Sequence, residues 1–567
     1  MLAKRSIIFL YGLAALLAAF TYFYGLDSQY IPKNGDEYPY EHITRLTADS
    51  GHLLPLQSRL DNMRNTKPPL LFWQGIASTH WGQDWDLWHL RYPSVIYTLL
   101  TALLVFLLAG KLSGQPETGF LALLAYLAFF STYRYGRPFL ANPPEVFWMF
   151  LPFFTLLYWR PASFESRVLM PLLLGAQLGI GLLYKSFALL APAGLALAWW
   201  YLREREYRWR AFLARDVGKL AMASVLALGV FGLWFMFDPD PQSVWREFVI
   251  GENFGKFDPH EGSYLSKLLW GGSSVWAMLV GYPMNAGLLA FPVVALFFVS
   301  YKRRAQLSEA EKLLWIWMGV LLLIFTFPSQ RSSRYLLEGM PALAVLCALN
   351  WERINRKVFA ASLIAAGCVL ALIIFLSLRL QDELGGGLYP AGFWLMIAIA
   401  SATVLLALLL PRLTRPLVSV TVLLVYLSFA AFLHPFDGAT GNYSAEAQQY
   451  AKGKAVWTPC DFRAKDEGHR FLLPGAQVYG YYENPALTPS ELAKHYRLFA
   501  VQLPLQEDAA CAGCRVIGQR LEIRGRQSDE EIKDMLKGNI FQHLFRKELL
   551  VESAAAPVDA SLETGCR

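Results

Sequence analysis

Apolar runs long enough to cross a bilayer recur from one end of this chain to the other, and no other feature restricts its fold as much. A helix crosses the hydrocarbon core with about 17–25 predominantly apolar residues. Runs that meet or approach this length lie at residues 6–24, 92–112, 119–133, 145–159, 168–183, 187–202 and 220–237. Others lie at residues 275–300, 313–327, 335–350, 358–378, 393–410 and 417–433. They predict about thirteen transmembrane helices, several of them short or interrupted by proline. A chain of 567 residues that is 55% hydrophobic and 15% aromatic is read as a polytopic α-helical membrane protein.

Basic residues orient the spans, because Lys and Arg concentrate in short cytoplasmic loops. If Lys4 and Arg5 lie inside, so do Lys111, Arg160 and Arg167, the arginines from Arg203 to Arg215, and Lys302 to Arg304. Arg353, Arg356, Lys357, Arg412 and Arg415 complete the set. Every second connection is basic. The N-terminus is therefore expected in the cytoplasm and the tail after Phe436 outside. The first run follows Lys4 and Arg5 as a signal peptide would, yet no clean small-residue cleavage site follows it, so it is read as an anchor. The net charge of +7 sits largely in the inner loops, where it meets anionic lipid head groups. No nucleic-acid partner is needed to explain it.

Two parts are expected: a transmembrane domain over residues 1–435 and a small external α/β domain over 436–567. In the tail, residues 470–473 and 477–482 alternate, 497–503 and 515–523 read as strands, and Ser528 opens a helix over 528–536 with acids behind it. Cys460, Cys511, Cys514 and Cys566 all lie there. In an external domain they predict disulfides, with three possible pairings, over a metal site. Cys347 and Cys368 fall inside apolar runs and read as packing residues.

Three external segments are long enough to carry a site. Residues 27–91 hold Gly35-Asp36-Glu37-Tyr38 near one end and Lys67-Pro68-Pro69 near the other. The amphipathic stretches 40–46 and 81–90 are expected to lie in the interface plane. A carboxylate at the membrane face, Asp36 or Glu37, can act as general base on a hydroxyl; acids at helix starts are also common caps. The two prolines hold Lys67 in a defined direction, where its ammonium can bind phosphate; a snorkelling lysine at the mouth of a span looks the same. Residues 134–145 hold Asn142 and Glu145. Residues 238–270 hold Glu252-Asn253-Phe254-Gly255-Lys256-Phe257, polar groups among aromatics that suit a sugar or an interfacial belt. Lys185, Arg331 and Arg334 border spans, where charge is costly and often functional.

In this order, these pieces resemble the lipid-linked-sugar glycosyltransferases, the family of the aminoarabinose transferases and the protein O-mannosyltransferases. The resemblance rests on the Asp-Glu after the first span, Lys67-Pro68-Pro69-Leu70 with Trp73, the Glu-Asn-Phe-Gly-Lys-Phe loop, and Tyr335-Leu336-Leu337 leading to Pro341. It implies a C-type glycosyltransferase fold and a sugar donor on a polyprenyl phosphate. It also implies Asp36, with Glu37 beside it, as the catalytic carboxylate and Lys67 as the grip on the donor phosphate. Lys256, Arg331, Arg334 and Lys185 are further candidates for the phosphate. Tyr38, Asn142, Glu145, Glu252, Asn253 and Tyr335 are candidates for the substrate pocket. In aminoarabinose transferases a glutamate before the lysine and a histidine in the later loop bind a metal; here Thr66 and Asn253 stand in those places, so neither metal nor cofactor is expected. Pro39 replaces an expected arginine, Asn142 an expected aspartate, and Lys256 the usual arginine.

The leading expectation is thus a glycosyltransferase of a bacterial inner membrane, acting on a lipid A, glycan or protein acceptor. A lipid-linked-sugar transporter or flippase is the alternative. It is disfavoured because the halves look unrelated and the candidate charges gather at one face. A structural membrane protein with a partner-binding tail leaves Asp36 and Lys67 without a purpose.

Overall fold

The computed structural model describes residues 2–253, 268–270, 274–328, 331–438, 440–482, 488–506, 511–524 and 527–554. All thirteen apolar runs are helical, whole or in pieces. Among the described residues, six helices are long and apolar enough to cross a membrane: Leu87–Ser113, Val217–Phe237, Gly281–Lys302, Arg356–Leu384, Ala391–Leu409 and Thr414–Asp437. The remaining runs are shorter or broken. The run at 119–133 divides at Phe129, and that at 335–350 opens with the 3-10 turn Ser333–Gly339 before the helix Met340–Leu349. Leu16, Met236, Leu395 and Leu409 are among many large apolar side chains left on the outer surface. Such a band is costly in water and ordinary against lipid.

The first helix, α1 (Leu2–Phe23), ends where the buried Arg137 gathers its last carbonyls. Arg137 Nε donates to the Tyr22 carbonyl at 3.0 Å, Nη2 to that of Tyr24, and Nη1 to the Tyr133 hydroxyl at 2.6 Å. The chain then runs into α2 (Glu37–Asp49), α3 (Leu70–Ser78) and α4 (Leu87–Ser113). Helix α3 comes very close to its neighbours: a Cβ on Gly75 would stand 2.8 Å from both Phe139 Cζ and Thr44 Cγ2.

Residues 40–46 lie within α2, as an amphipathic helix. Residues 81–90 depart from expectation. His80 and Trp81 take positive φ values of 48° and 58°, which break the helix. Asp86 then caps α4, accepting from the His89 amide at 2.8 Å. The stretch is a turn and the start of a long helix, not a helix lying in the plane.

The tail carries one five-stranded sheet in the order β2-β1-β3-β5-β4. Its strands are β1 (Ala455–Cys460), β2 (Gln477–Tyr482), β3 (Leu498–Leu503), β4 (Cys514–Ile523) and β5 (Phe545–Ser553). β1 pairs in parallel with β2 and β3, so each connection needs a crossover; the helices Glu467–Leu472 and Pro489–His495 supply them. β5 runs antiparallel to β3 and β4. Residues 470–473 are not a strand, because Arg470 turns back one helical turn to Glu467. Ser528 caps Asp529–Leu536 in a capping box with Glu531. Cys511 and Cys514 are joined, Cys460 is also disulfide-bonded, and Cys347 and Cys368 are free. Cys566 lies outside the described residues.

Phe139 is fully buried and has no room to move aside. Gly75→Ala is therefore expected to cost about 1–3 kcal/mol by overpacking, read as a lower melting temperature of the detergent-solubilised protein.

Candidate active site

Adjacent acids at the start of α2 point to different places. Glu37 is 1% exposed. Its Oε1 accepts from Arg91 Nε at 2.8 Å and from the Phe139 amide at 2.7 Å. Its Oε2 accepts from Arg91 Nη2 at 3.0 Å and from the Asn34 amide at 2.8 Å. Arg91 spends its remaining nitrogen on the carbonyls of Leu26 and Ser28. With both oxygens doubly held and no access, Glu37 cannot receive a proton from a substrate. Its expected catalytic role is corrected to a structural one. Asp36 stands at the N-cap of α2 but makes no side-chain cap bond. Its Oδ2 accepts from Arg334 Nη1 at 2.6 Å, and its Oδ1 lies 3.8 Å from Arg463 Nη1. The Asp36 side chain remains 36% exposed, so a hydroxyl can reach it.

A polar chain leads away from Asp36. Arg334 also donates to Asn142 Oδ1, and Asn142 Nδ2 donates to Glu145 Oε2 at 3.2 Å. Lys185 Nζ donates to the same Glu145 oxygen at 2.6 Å and lies 6.0 Å from the centre of the Tyr335 ring. Beside Lys185, the Ser186 hydroxyl donates to Asn253 Oδ1 at 2.6 Å. The two prolines after Lys67 start α3 and leave the lysine facing the segment Val244–Asn253, which is wound as a π-helix. Lys67 Nζ donates to Glu252 Oε1 at 2.7 Å and to the Thr66 carbonyl at 2.8 Å.

Tyr40 links the two halves. Lys67 Nζ lies 6.0 Å from its ring centre. Burial pushes its hydroxyl above the ordinary value; Asp36 and Glu252 add to this, while Arg334 and Lys185 oppose it. The Tyr40 phenol thus feels the charges of Asp36, Arg334, Lys185 and Glu252 while Lys67 lies near its ring. Tyr40 was not singled out from sequence, since an aromatic in an amphipathic stretch reads as packing. Arg463 was missed too, because it comes from the tail. Of the expected residues, Tyr38 turns to Lys33, whose Nζ lies 5.4 Å from its ring centre. Arg331 is buried and donates from Nε to the Thr326 carbonyl at 2.7 Å. Lys256 lies outside the described residues.

The positions that hold a metal in aminoarabinose transferases do not suit one here. Thr66 offers a hydroxyl in place of a carboxylate, and its carbonyl already binds Lys67. Asn253 accepts from Ser186 and donates to the Phe248 carbonyl. Among the described residues, no three His, Cys, Asp or Glu side chains group to hold an ion.

Residues 35–239, which include Asp36, Lys67, Asn142, Glu145 and Lys185, match the family model of dolichyl-phosphate-mannose-protein mannosyltransferase. That region of the chain is similar to the mannosyltransferase family. Among its relatives is the undecaprenyl phosphate-alpha-4-amino-4-deoxy-L-arabinose arabinosyl transferase 2 of Proteus mirabilis, 25% identical over 61% of this chain and 60% of that protein. The transferase of the same name from Pseudomonas fluorescens is 27% identical over 59% and 58%. The matched stretch therefore spans about three fifths of these relatives. The crystal structure of ArnT from Cupriavidus metallidurans, bound to undecaprenyl phosphate, superposes with a TM-score of 0.60 at 17% identity. It covers 97% of this chain and 99% of that one, and establishes the C-type glycosyltransferase fold with its small C-terminal sheet domain.

The two acids are separable by experiment. Glu37→Gln leaves Arg91 buried and uncompensated, at a cost of about 3–5 kcal/mol. The amount of folded protein in the membrane should fall sharply. Asp36→Asn should leave that amount unchanged. Quantifying both variants in membranes by fluorescence size exclusion checks this.

Proposed function

We propose that this protein is a glycosyltransferase that moves a sugar from a polyprenyl-phosphate donor to an acceptor at the periplasmic face of a bacterial inner membrane. The observation that carries the reading is the accessible Asp36 carboxylate joined through Arg334, Asn142 and Glu145 to Lys185, with Lys67 beside Tyr40. The relatives, named as undecaprenyl phosphate-aminoarabinose arabinosyl transferases, support the donor class. The acceptor is a glycolipid such as lipid A, another glycan, or a protein. Residues 1–435 form the membrane-embedded transferase and residues 436–567 the periplasmic α/β domain, with the N-terminus in the cytoplasm. The basic inner loops and the disulfide-bonded tail cysteines support that orientation.

The chemistry follows from the charges. As the acceptor hydroxyl attacks the anomeric carbon, the bond from that carbon to the phosphate oxygen breaks. The electron pair leaves with the phosphate, and Asp36 takes the hydroxyl proton. Charge developing on the departing phosphate is stabilised by cations already in place, with Lys67 the foremost. Lys67 is paired with Glu252, so the donor phosphate competes with a carboxylate for the ammonium. Arg334 holds one oxygen of Asp36 and leaves the other for the acceptor. Tyr40 stays neutral and can donate a hydrogen bond to either reactant.

Asp36→Asn should abolish transfer in membranes supplied with polyprenyl-phosphate-linked sugar, and undiminished transfer removes Asp36 from the mechanism. Lys67→Ala should raise the donor KM by about 10–100-fold, the loss of a charge-assisted hydrogen bond. A chelator should leave the rate unchanged; chelator-sensitive transfer points to ligands other than Thr66 and Asn253. Mass spectrometry of lipids, glycans and envelope proteins from cells with and without the gene identifies sugar and acceptor together.

A further inference from the structure

The tail packs against one side of α2, the helix that Asp36 caps. That side carries Tyr38, His42 and Arg45, spaced as one helical face, and Asp36 stands at the N-cap just before it. A short stretch of the tail, from Arg463 to Arg470, meets each of them. Arg463 Nη1 stands 3.8 Å from Asp36 Oδ1 and 3.7 Å from where a Cβ on Gly35 would be. Gly468 lies so close that its own Cβ would be 3.1 Å from Tyr38 Cε1. Glu467, 1% exposed, is the hub. It accepts from His42 Nδ1 at 2.7 Å, from Arg45 Nη2 at 2.6 Å and Nε at 3.1 Å, and from Arg470 Nε at 2.7 Å.

The donor pattern is tightly specified. The Arg59 amide donates to His42 Nε2 at 3.0 Å, and a backbone amide can only donate. His42 therefore carries its hydrogen on Nδ1 and gives it to Glu467. Burial works against charge on Glu467, yet Arg45, His42 and Arg470 hold its carboxyl well below the usual carboxylate range. A buried charge with every neighbour matched permits one docking geometry and penalises others.

We infer that the C-terminal sheet domain is a working part of the catalytic unit, with Arg463 as a positioning residue on Asp36 and Glu467 as the latch that sets Arg463 in place. This rests on Asp36 being the base proposed above. Arg334 binds one carboxylate oxygen tightly. Arg463, 48% exposed, attends the other at ion-pair distance without a hydrogen bond. It fixes the rotation of the carboxylate while leaving the lone pair that an acceptor hydroxyl needs. The contribution lies in the orientation of Asp36 at the moment of reaction, not in donor binding, because Lys67 and its neighbours hold the phosphate.

The test uses the full-length protein in detergent or nanodiscs with a polyprenyl-phosphate-linked sugar as donor. Arg463→Ala should lower kcat about tenfold with donor KM and melting temperature unchanged, and Arg463→Lys should recover most of the loss. Glu467→Gln should lower kcat as well. The double variant Arg463→Ala/Glu467→Gln should have a kcat no lower than that of the poorer single variant, since two residues acting through one contact are not additive. Wild-type kcat in Arg463→Ala overturns the inference, as does a loss that appears in donor KM or that lysine does not recover. Fully additive losses in the double variant overturn the latch. Asp36→Asn, measured alongside, separates the two readings. If that variant still transfers sugar, the proposed base is wrong. If it is dead while Arg463→Ala is unimpaired, only the role of the tail fails.

Discussion

Helix α2 is held at its first turn by the buried ion pair of Glu37 with Arg91, and the geometry of the site depends on that anchorage. The pair ties α2 to α4 and, through the Phe139 amide, to the segment before Asn142. Glu37 is pinned by four donors, so the residue before it has little freedom. Asp36 is carried to the edge of the membrane domain with its carboxylate facing Arg334. Removing two charges from water is expensive, and full pairing with satisfied oxygens is what makes it tolerable. The cost is met inside the fold, and the Asp36 carboxylate itself stays accessible.

The rest of the site is built by pairing opposite charges across elements that are distant in sequence. Arg334 meets Asp36, Lys185 meets Glu145, and Lys67 meets Glu252. Each of these three cations has a carboxylate beside it. A membrane-face pocket lined only by unpaired cations would be costly to hold together. Carboxylates placed among them keep the cluster near neutrality and still let a stronger anion compete.

The helical membrane architecture was legible because hydrocarbon demands long apolar runs, and such runs need no partner to be recognised. All thirteen emerged as helices, though proline and 3-10 turns cut several short. The site was legible only in part. Asp36 and Glu37 carry the same chemistry in sequence, yet neighbouring residues on a helix point about 100° apart, so one reaches the cavity and the other the core. The pairing of Lys67 with Glu252 spans 185 positions, and local pattern holds no trace of it. Residues 81–90 look amphipathic, but the left-handed backbone at His80 and Trp81 has no clear signature in residues that rarely adopt it. Strand β1, which contains Pro459, also escaped, since proline argues against a strand. Arg463 could not be foreseen beside Asp36, because that meeting depends on how the tail docks.

A phosphate that binds the Lys67 ammonium competes with Glu252 for its charge. On the proposed role of Lys67, donor loading would loosen a tether of the π-wound segment Val244–Asn253, the same segment whose last residue receives Ser186 beside Lys185. The lysine proposed to bind the donor would thus also report occupancy. Loading of the pocket would then be felt mechanically in an adjoining segment, through an exchange of counter-ions.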